Sequence, residues 1–171
     1  ATLQRTDPPE HTRYRRLLNR VFTPATVREM TPHIDEIVAE LIDAIAAAGT
    51  CEFVADFALP LPGIFIAEQL GLDRTQYRTF RRWADAMLAQ AQRQLTVDEA
   101  LTEVEVELEA QHAMAAEFER RRAEPGTDLI SLLVNAHVRA DGPDDEPFTM
   151  HELQDLLHQL ITGGLETTTS A

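Results

Sequence analysis

The chain has 171 residues, enough for one domain with a substantial core, and its 44% apolar and 26% charged content predicts an ordered globular protein. Its 29 acidic and 15 basic side chains give a formal net charge of −14, and every basic one is arginine; this balance argues against a general nucleic-acid binder and against docking on anionic lipid. The single cysteine, Cys51, excludes an internal disulfide and a cysteine-rich metal site, and with no apolar run of transmembrane length and no leader-like start the expected location is the cytoplasm.

The predicted elements are almost wholly helical. A first helix is expected over 7–21, with Asp7 as cap, Pro8 at the first helical position and Glu10 as a capping-box acid. Thr23-Pro24 predicts a short helical piece, and Thr31-Pro32 repeats the device. A clearer helix follows, with Ile34, Ile37, Val38, Leu41, Ile42 and Ile45 on one face, stopped by Gly49. Residues 51–54 have the composition of a strand, with Cys51 as a buried structural thiol, although no partner strand is evident.

Pro60 through Leu70 reads as a helix closed by Gly71. Asp73 caps the next segment, whose Tyr77, Phe80 and Trp83 have helical spacing and belong to the core. Thr96 and Glu99 form a capping box that opens a long helix to about Arg122. Its acid run over 98–109 is expected to face water, and its Arg120-Arg121-Arg122 end complements the helix dipole. A helix over 128–138, a solvated loop over 141–147 and a second capping box, Thr149 with Glu152, complete the series. The last helix carries Leu153, Leu156, Leu157, Leu160 and Ile161.

Two patterns could carry chemistry. Gly163 and Gly164 interrupt a well-patterned helix, at a cost of about 1 kcal/mol each relative to alanine. Close helix packing, a helix end or a flat spot for a ligand each explain them. Glu166 and Thr167 follow, an acid beside an alcohol that can bond a carbonyl one turn back. His11 and Arg15, four apart on one helix face, could clasp carboxylates, whereas Arg13, Arg16 and Arg20 are expected to face water. The remaining histidines lack metal-site spacing.

Taken together, these segments resemble the cytochrome P450 family of the soluble bacterial type. Asp7-Pro8-Pro9-Glu10-His11-Thr12-Arg13-Tyr14-Arg15-Arg16-Leu17, then Val21-Phe22-Thr23-Pro24, is similar to its C helix and the turn after it. The run from Phe53 to Pro62, then Ile66-Ala67-Glu68-Gln69-Leu70-Gly71-Leu72, resembles the stretch through its E helix. Asp128-Leu129-Ile130-Ser131-Leu132-Leu133 resembles the H-helix segment, and Gly163-Gly164-Leu165-Glu166-Thr167-Thr168 the oxygen groove of the I helix.

The resemblance implies a mainly α protein: a partial P450 fold lacking the N-terminal sheet region and the C-terminal haem-thiolate half. Its parts would be a haem-propionate helix at 7–21, lid-like helices at 73–124 and an oxygen-groove helix at 149–171. It further implies haem b (iron-protoporphyrin IX), with His11 and Arg15 on the propionates and Gly163 and Gly164 against the haem face. Glu166 and Thr167 would be the proton-delivering pair, with Gln159 and Thr162 facing substrate. An apolar small molecule as substrate and a ferredoxin or flavoprotein as redox partner follow, with no nucleic acid and no membrane. The family's axial cysteine and its Glu-x-x-Arg motif have no counterpart in these residues, so monooxygenase activity is expected of the full-length parent and not of this stretch. The alternative is a non-catalytic, all-helical binding or interaction protein derived from the same fold.

Overall fold

Side chains that accept backbone N–H groups set most helix starts in this chain. The computed structural model describes residues 3, 6–138 and 146–169, without the side chains of residues 90 and 91. The Thr23 hydroxyl accepts from Thr26 N–H at 3.1 Å and opens a 25-residue helix, α2 (Pro24–Ala48), after α1 (Glu10–Val21). Asp73 accepts from Thr75 N–H at 2.7 Å, capping a short 3₁₀ turn (Arg74–Gln76) ahead of α4 (Tyr77–Gln92). Both capping boxes form: Thr96 with Glu99 opens α5 (Val97–Ala123), and Thr149 with Glu152 opens α7 (Met150–Thr169). Between them lie α3 (Pro60–Gln69) and α6 (Leu129–Val134), the latter capped by Asp128.

Several expectations are corrected. Helix α1 starts at Glu10 without a side-chain cap; Asp7 contributes only its carbonyl, which accepts from His11 N–H at 3.1 Å. Pro32 does not restart a helix but lies inside α2, where a proline removes one N–H donor without ending a helix capped at both ends. No strand forms over 51–54, and none is found among the described residues beyond an isolated bridge between His137 and Pro147. A lone strand would leave its backbone groups unpaired. Instead the Glu52 carboxylate accepts from Ala55 N–H at 2.6 Å and a π-helical turn follows over Val54–Ala58. Cys51 is exposed, not a buried thiol. Helix α6 is shorter than the predicted 128–138: it ends at Val134, with both the backbone N–H and the side-chain amide of Asn135 donating to the Ser131 carbonyl, at 3.3 and 2.9 Å. Most of the expected loop at 141–147 lies outside the described residues.

The core gathers around α7. Leu153, Leu156, Leu157, Ile161 and Leu165 are at most 1% exposed and pack among Phe80, Phe118 and Ile130. The Phe80 and Trp83 rings meet edge to face at 5.1 Å, as their spacing predicts. At the bend after α3, Gly71 has φ +69°, and a Cβ there would lie 2.6 Å from the Arg121 guanidinium. That guanidinium donates to the Gly71 carbonyl at 2.8 Å and to Asp128 at 2.7 Å, tying α5 to α3 and α6. Among the described residues no helix is long and apolar enough to cross a membrane.

Candidate functional site

Helix α7 has two unlike faces in its second half. Ile161 and Leu165 point into the core. On the other side Gln159, Leu160, Gly163, Gly164 and Thr168 line an apolar groove of about 1090 Å³. Helix α1 supplies Leu17 and Val21 to this groove, α2 supplies Met30 and Ile34, and α3 supplies Phe65 and Ile66. The groove therefore opens where the glycines interrupt the helix.

The two glycines have different surroundings. A Cβ built on Gly164 would stand 2.2 Å from Ile66 Cδ1, so this glycine lets α3 approach α7. A Cβ built on Gly163 meets nothing within 4 Å. Gly163 thus weakens the helix by about 1 kcal/mol without any packing contact to offset it. Close packing accounts for Gly164 and fails for Gly163.

Thr167 is exposed, and its hydroxyl donates to the Gly163 carbonyl one turn back. That bond fixes the Oγ1 position and leaves its lone pairs free to accept. Glu166 points aside and pairs with Arg81 of α4 at 3.8 Å. Thr162 is buried, donates to the His158 carbonyl at 2.8 Å and does not line the groove. Of the two side chains expected to face substrate, only Gln159 reaches it.

His11 is half-buried and Arg15 exposed, and both lie on α1 outside the lining of the groove. Neither side chain has an ion pair or hydrogen bond to another described residue. Their neighbour Arg13 behaves otherwise and corrects its expected exposure. It is 9% exposed; its Nε donates to the Val138 carbonyl at 2.6 Å and its Nη2 to the Pro147 carbonyl at 2.8 Å. Its Nη1 pairs with Glu152, and its guanidinium carbon lies 4.0 Å from the centre of the Phe148 ring. Glu152 also completes the cap of α7, so one carboxylate joins the start of α7 to the middle of α1. Arg13 sets the placement of His11 and Arg15 relative to α7. Its spacing of four from buried Leu17 was the signal that it shares the inward face. Burial, and then Glu152, push the Tyr14 hydroxyl beside it above its ordinary value.

No group of three metal-ligating side chains occurs among the described residues. Cys51 does not line the groove. The groove is an apolar slot with a flat helical patch; the Thr167 hydroxyl, His11 and Arg15 stand on α7 and α1 outside its lining.

No family model matches the chain. Among curated proteins it is 38% identical over 165 residues to mycinamicin IV hydroxylase/epoxidase of Micromonospora griseorubida, spanning 96% of this chain and 39% of that one. It is 34% identical over 164 residues to 6-deoxyerythronolide B hydroxylase of Saccharopolyspora erythraea, spanning 96% and 38%. Among solved structures it is similar to a myxobacterial cytochrome P450, CYP267B1, in complex with myristic acid, with TM-score 0.85 and 33% identity over 98% of this chain and 40% of that one. The chain spans about two fifths of the length of the curated relatives it matches.

Proposed function

The chain belongs to the cytochrome P450 family, of which it spans part, and we propose that α1 and α7 are the haem-holding and proton-delivering elements of a haem-dependent monooxygenase. Gly163 carries this reading: a glycine inside a helix, with no neighbour where its side chain would stand, facing an apolar groove. A flat apolar cofactor is the ligand such a patch accommodates.

The residues fit haem b at its face and at its edge. Gly163 admits a ring system against the backbone. His11 and Arg15, unpartnered and four apart, suit a pair of propionates, with the Arg15 guanidinium able to bond a carboxylate through two N–H groups. Arg13, locked to Glu152, holds them in register with α7. The axial thiolate is a different matter: Cys51 is exposed and away from the groove, so that ligand is assigned to sequence outside these 171 residues.

When bound, haem supplies the oxidation: with electrons from a ferredoxin or flavoprotein it activates dioxygen, one oxygen atom entering an apolar small molecule and the other leaving as water. The chain's own part is positional. The Thr167 hydroxyl, anchored as donor on the Gly163 carbonyl, would serve proton delivery by accepting at Oγ1 a hydrogen bond from water and so holding that water in place. Glu166, one residue before, holds a negative charge beside that path and resupplies protons from the solvent side. Gln159, one turn before Gly163, orients the substrate's polar atoms, while Leu160 and Phe65 keep water from its apolar body. The resemblance assigns the segment 73–124 the part of a lid, although no described residue of it lines this groove, and the cytoplasm as the place of work.

The test is spectroscopic. A full-length protein carrying this stretch, loaded with haem, reduced and exposed to carbon monoxide, is expected to give the red-shifted Soret band of thiolate-ligated haem and to oxygenate an apolar substrate. Failure of the loaded protein to give that band contradicts the proposal.

A further inference from the structure

One cluster of charges joins α2 to α3 beside the groove. His33 of α2 meets two carboxylates: its Nε2 lies 2.6 Å from Glu68 of α3, and its Nδ1 3.4 Å from Glu36, one turn on along α2. The other oxygen of Glu68 pairs with Arg74 Nε at 3.0 Å, in the 3₁₀ turn ahead of α4. Arg74 reaches back through Nη1 to Glu40 of α2 at 2.9 Å. Helix α2 is therefore held at His33 and at Glu40, and both holds run through the Glu68 carboxylate. Ile37, the fully buried residue of α2, falls between them on the same face by its spacing of four and three. Met30 and Ile34, on either side of His33, line the groove, as does Glu68. The cluster thus sets how one wall of the groove stands against the next.

Its charges balance only in part. Three carboxylates, Glu36, Glu40 and Glu68, share one permanent cation, Arg74. The proton on His33 supplies a second positive charge. A charged imidazole donates from both ring nitrogens and serves Glu36 and Glu68 together. A neutral one has a single N–H, and its other nitrogen turns a lone pair toward the second carboxylate. The two acids, from different helices, then repel across it. The π-helical turn, which also packs on α2, carries Asp56, and that carboxylate is turned to the Glu52 N–H at 2.8 Å. The bond to Glu68 raises the imidazole above its ordinary value of 6.5 by more than burial lowers it, so the charge is lost above pH 6.5. We propose that His33 is a proton-operated pin between α2 and α3: charged, it clamps Glu36 and Glu68 and holds α2 against α3; neutral, it lets this joint open more often. The pin acts on the groove wall whatever the groove holds, so it does not rest on the haem reading.

Hydrogen–deuterium exchange of the full-length protein, read by mass spectrometry and corrected for the intrinsic pH dependence of exchange, tests the pin. Between about pH 6 and about pH 8.5, peptides covering 28–41 are expected to become about fivefold faster, the weight of a partly exposed charge pair, while peptides covering 110–118 in the core stay unchanged. His33→Gln, uncharged at every pH, is expected to exchange fast throughout and to lose the dependence. His33→Arg, a permanent cation with donors for both carboxylates, is expected to stay protected at the upper end. Flat exchange of 28–41 in the unaltered protein overturns the proposal. So does an undiminished dependence in His33→Gln, since another group would then be titrating. Loss of protection in His33→Arg as large as in the unaltered protein overturns it too, because charge at position 33 would then not be what holds the joint.

Discussion

Replacing each glycine of α7 with alanine separates the two roles assigned to them. Alanine in a helix interior is favoured over glycine by about 1 kcal/mol. At Gly163 the new methyl group meets nothing within 4 Å, so the gain is realised in full. Gly163→Ala is expected to raise the melting temperature by about 2–4 °C for a protein of this size. At Gly164 the methyl group would stand 2.2 Å from Ile66 Cδ1 and 3.4 Å from Cγ1. Overpacking of that kind costs about 1–3 kcal/mol, which cancels or exceeds the helical gain. Gly164→Ala is thus expected to be neutral or destabilising by up to about 2 kcal/mol. Ile66→Val removes the Cδ1 carbon at a cost of about 0.5–1.5 kcal/mol alone, and it should relieve Gly164→Ala while leaving Gly163→Ala unaffected. Thermal and urea unfolding followed by circular dichroism measure all five variants. In the haem-loaded protein Gly163→Ala also puts a methyl group against the cofactor, so retention of haem should fall as fold stability rises. Gly163→Ala destabilising as much as Gly164→Ala, or Ile66→Val giving no relief, would show that the two glycines do not have these separate roles.

Arg13→Ala strands Glu152 and two carbonyls. A loss of about 3 kcal/mol in urea unfolding is expected, the low end for breaking a buried pair, because Glu152 keeps some solvent contact. Hydrogen bonding to Glu68 at 2.6 Å raises the His33 imidazole above its ordinary value of 6.5. A raised folded-state value stabilises below about pH 6.5 and loses that contribution as pH climbs through the folded value. NMR titration should show the raised value, and Glu68→Gln should lower it. Thr96→Ala removes the α5 cap and should cost about 1 kcal/mol in the same unfolding experiment.

Local chemistry was legible in the sequence where the signal and its partner lie within one turn. The caps at Thr96, Asp128 and Thr149 form because a side chain and the N–H it accepts are three residues apart. Features that depend on distant partners were not legible in the same way. Residues 51–54 have the composition of a strand, but a strand needs a second one, and the Glu52 carboxylate offers those N–H groups a nearer acceptor. Arg13 looked like one more surface arginine because its acceptors lie more than 120 residues away. The glycine pair was legible as an anomaly and ambiguous in cause, since only the position of Ile66 distinguishes a packing glycine from one that faces open space. Thr162 and Gln159 are three apart on one helix, yet one is buried in the core and the other lines the groove.

Cofactor titration of the full-length protein and two variants shows whether α1 and α7 together hold haem. Haem should bind the unaltered protein and give the thiolate-type Soret band when reduced under carbon monoxide. Arg15→Leu should hold haem more weakly, through loss of a propionate contact, and Gly163→Leu should exclude it from the flat face while each protein stays folded by circular dichroism. Haem binding of unchanged strength in both variants would contradict the account.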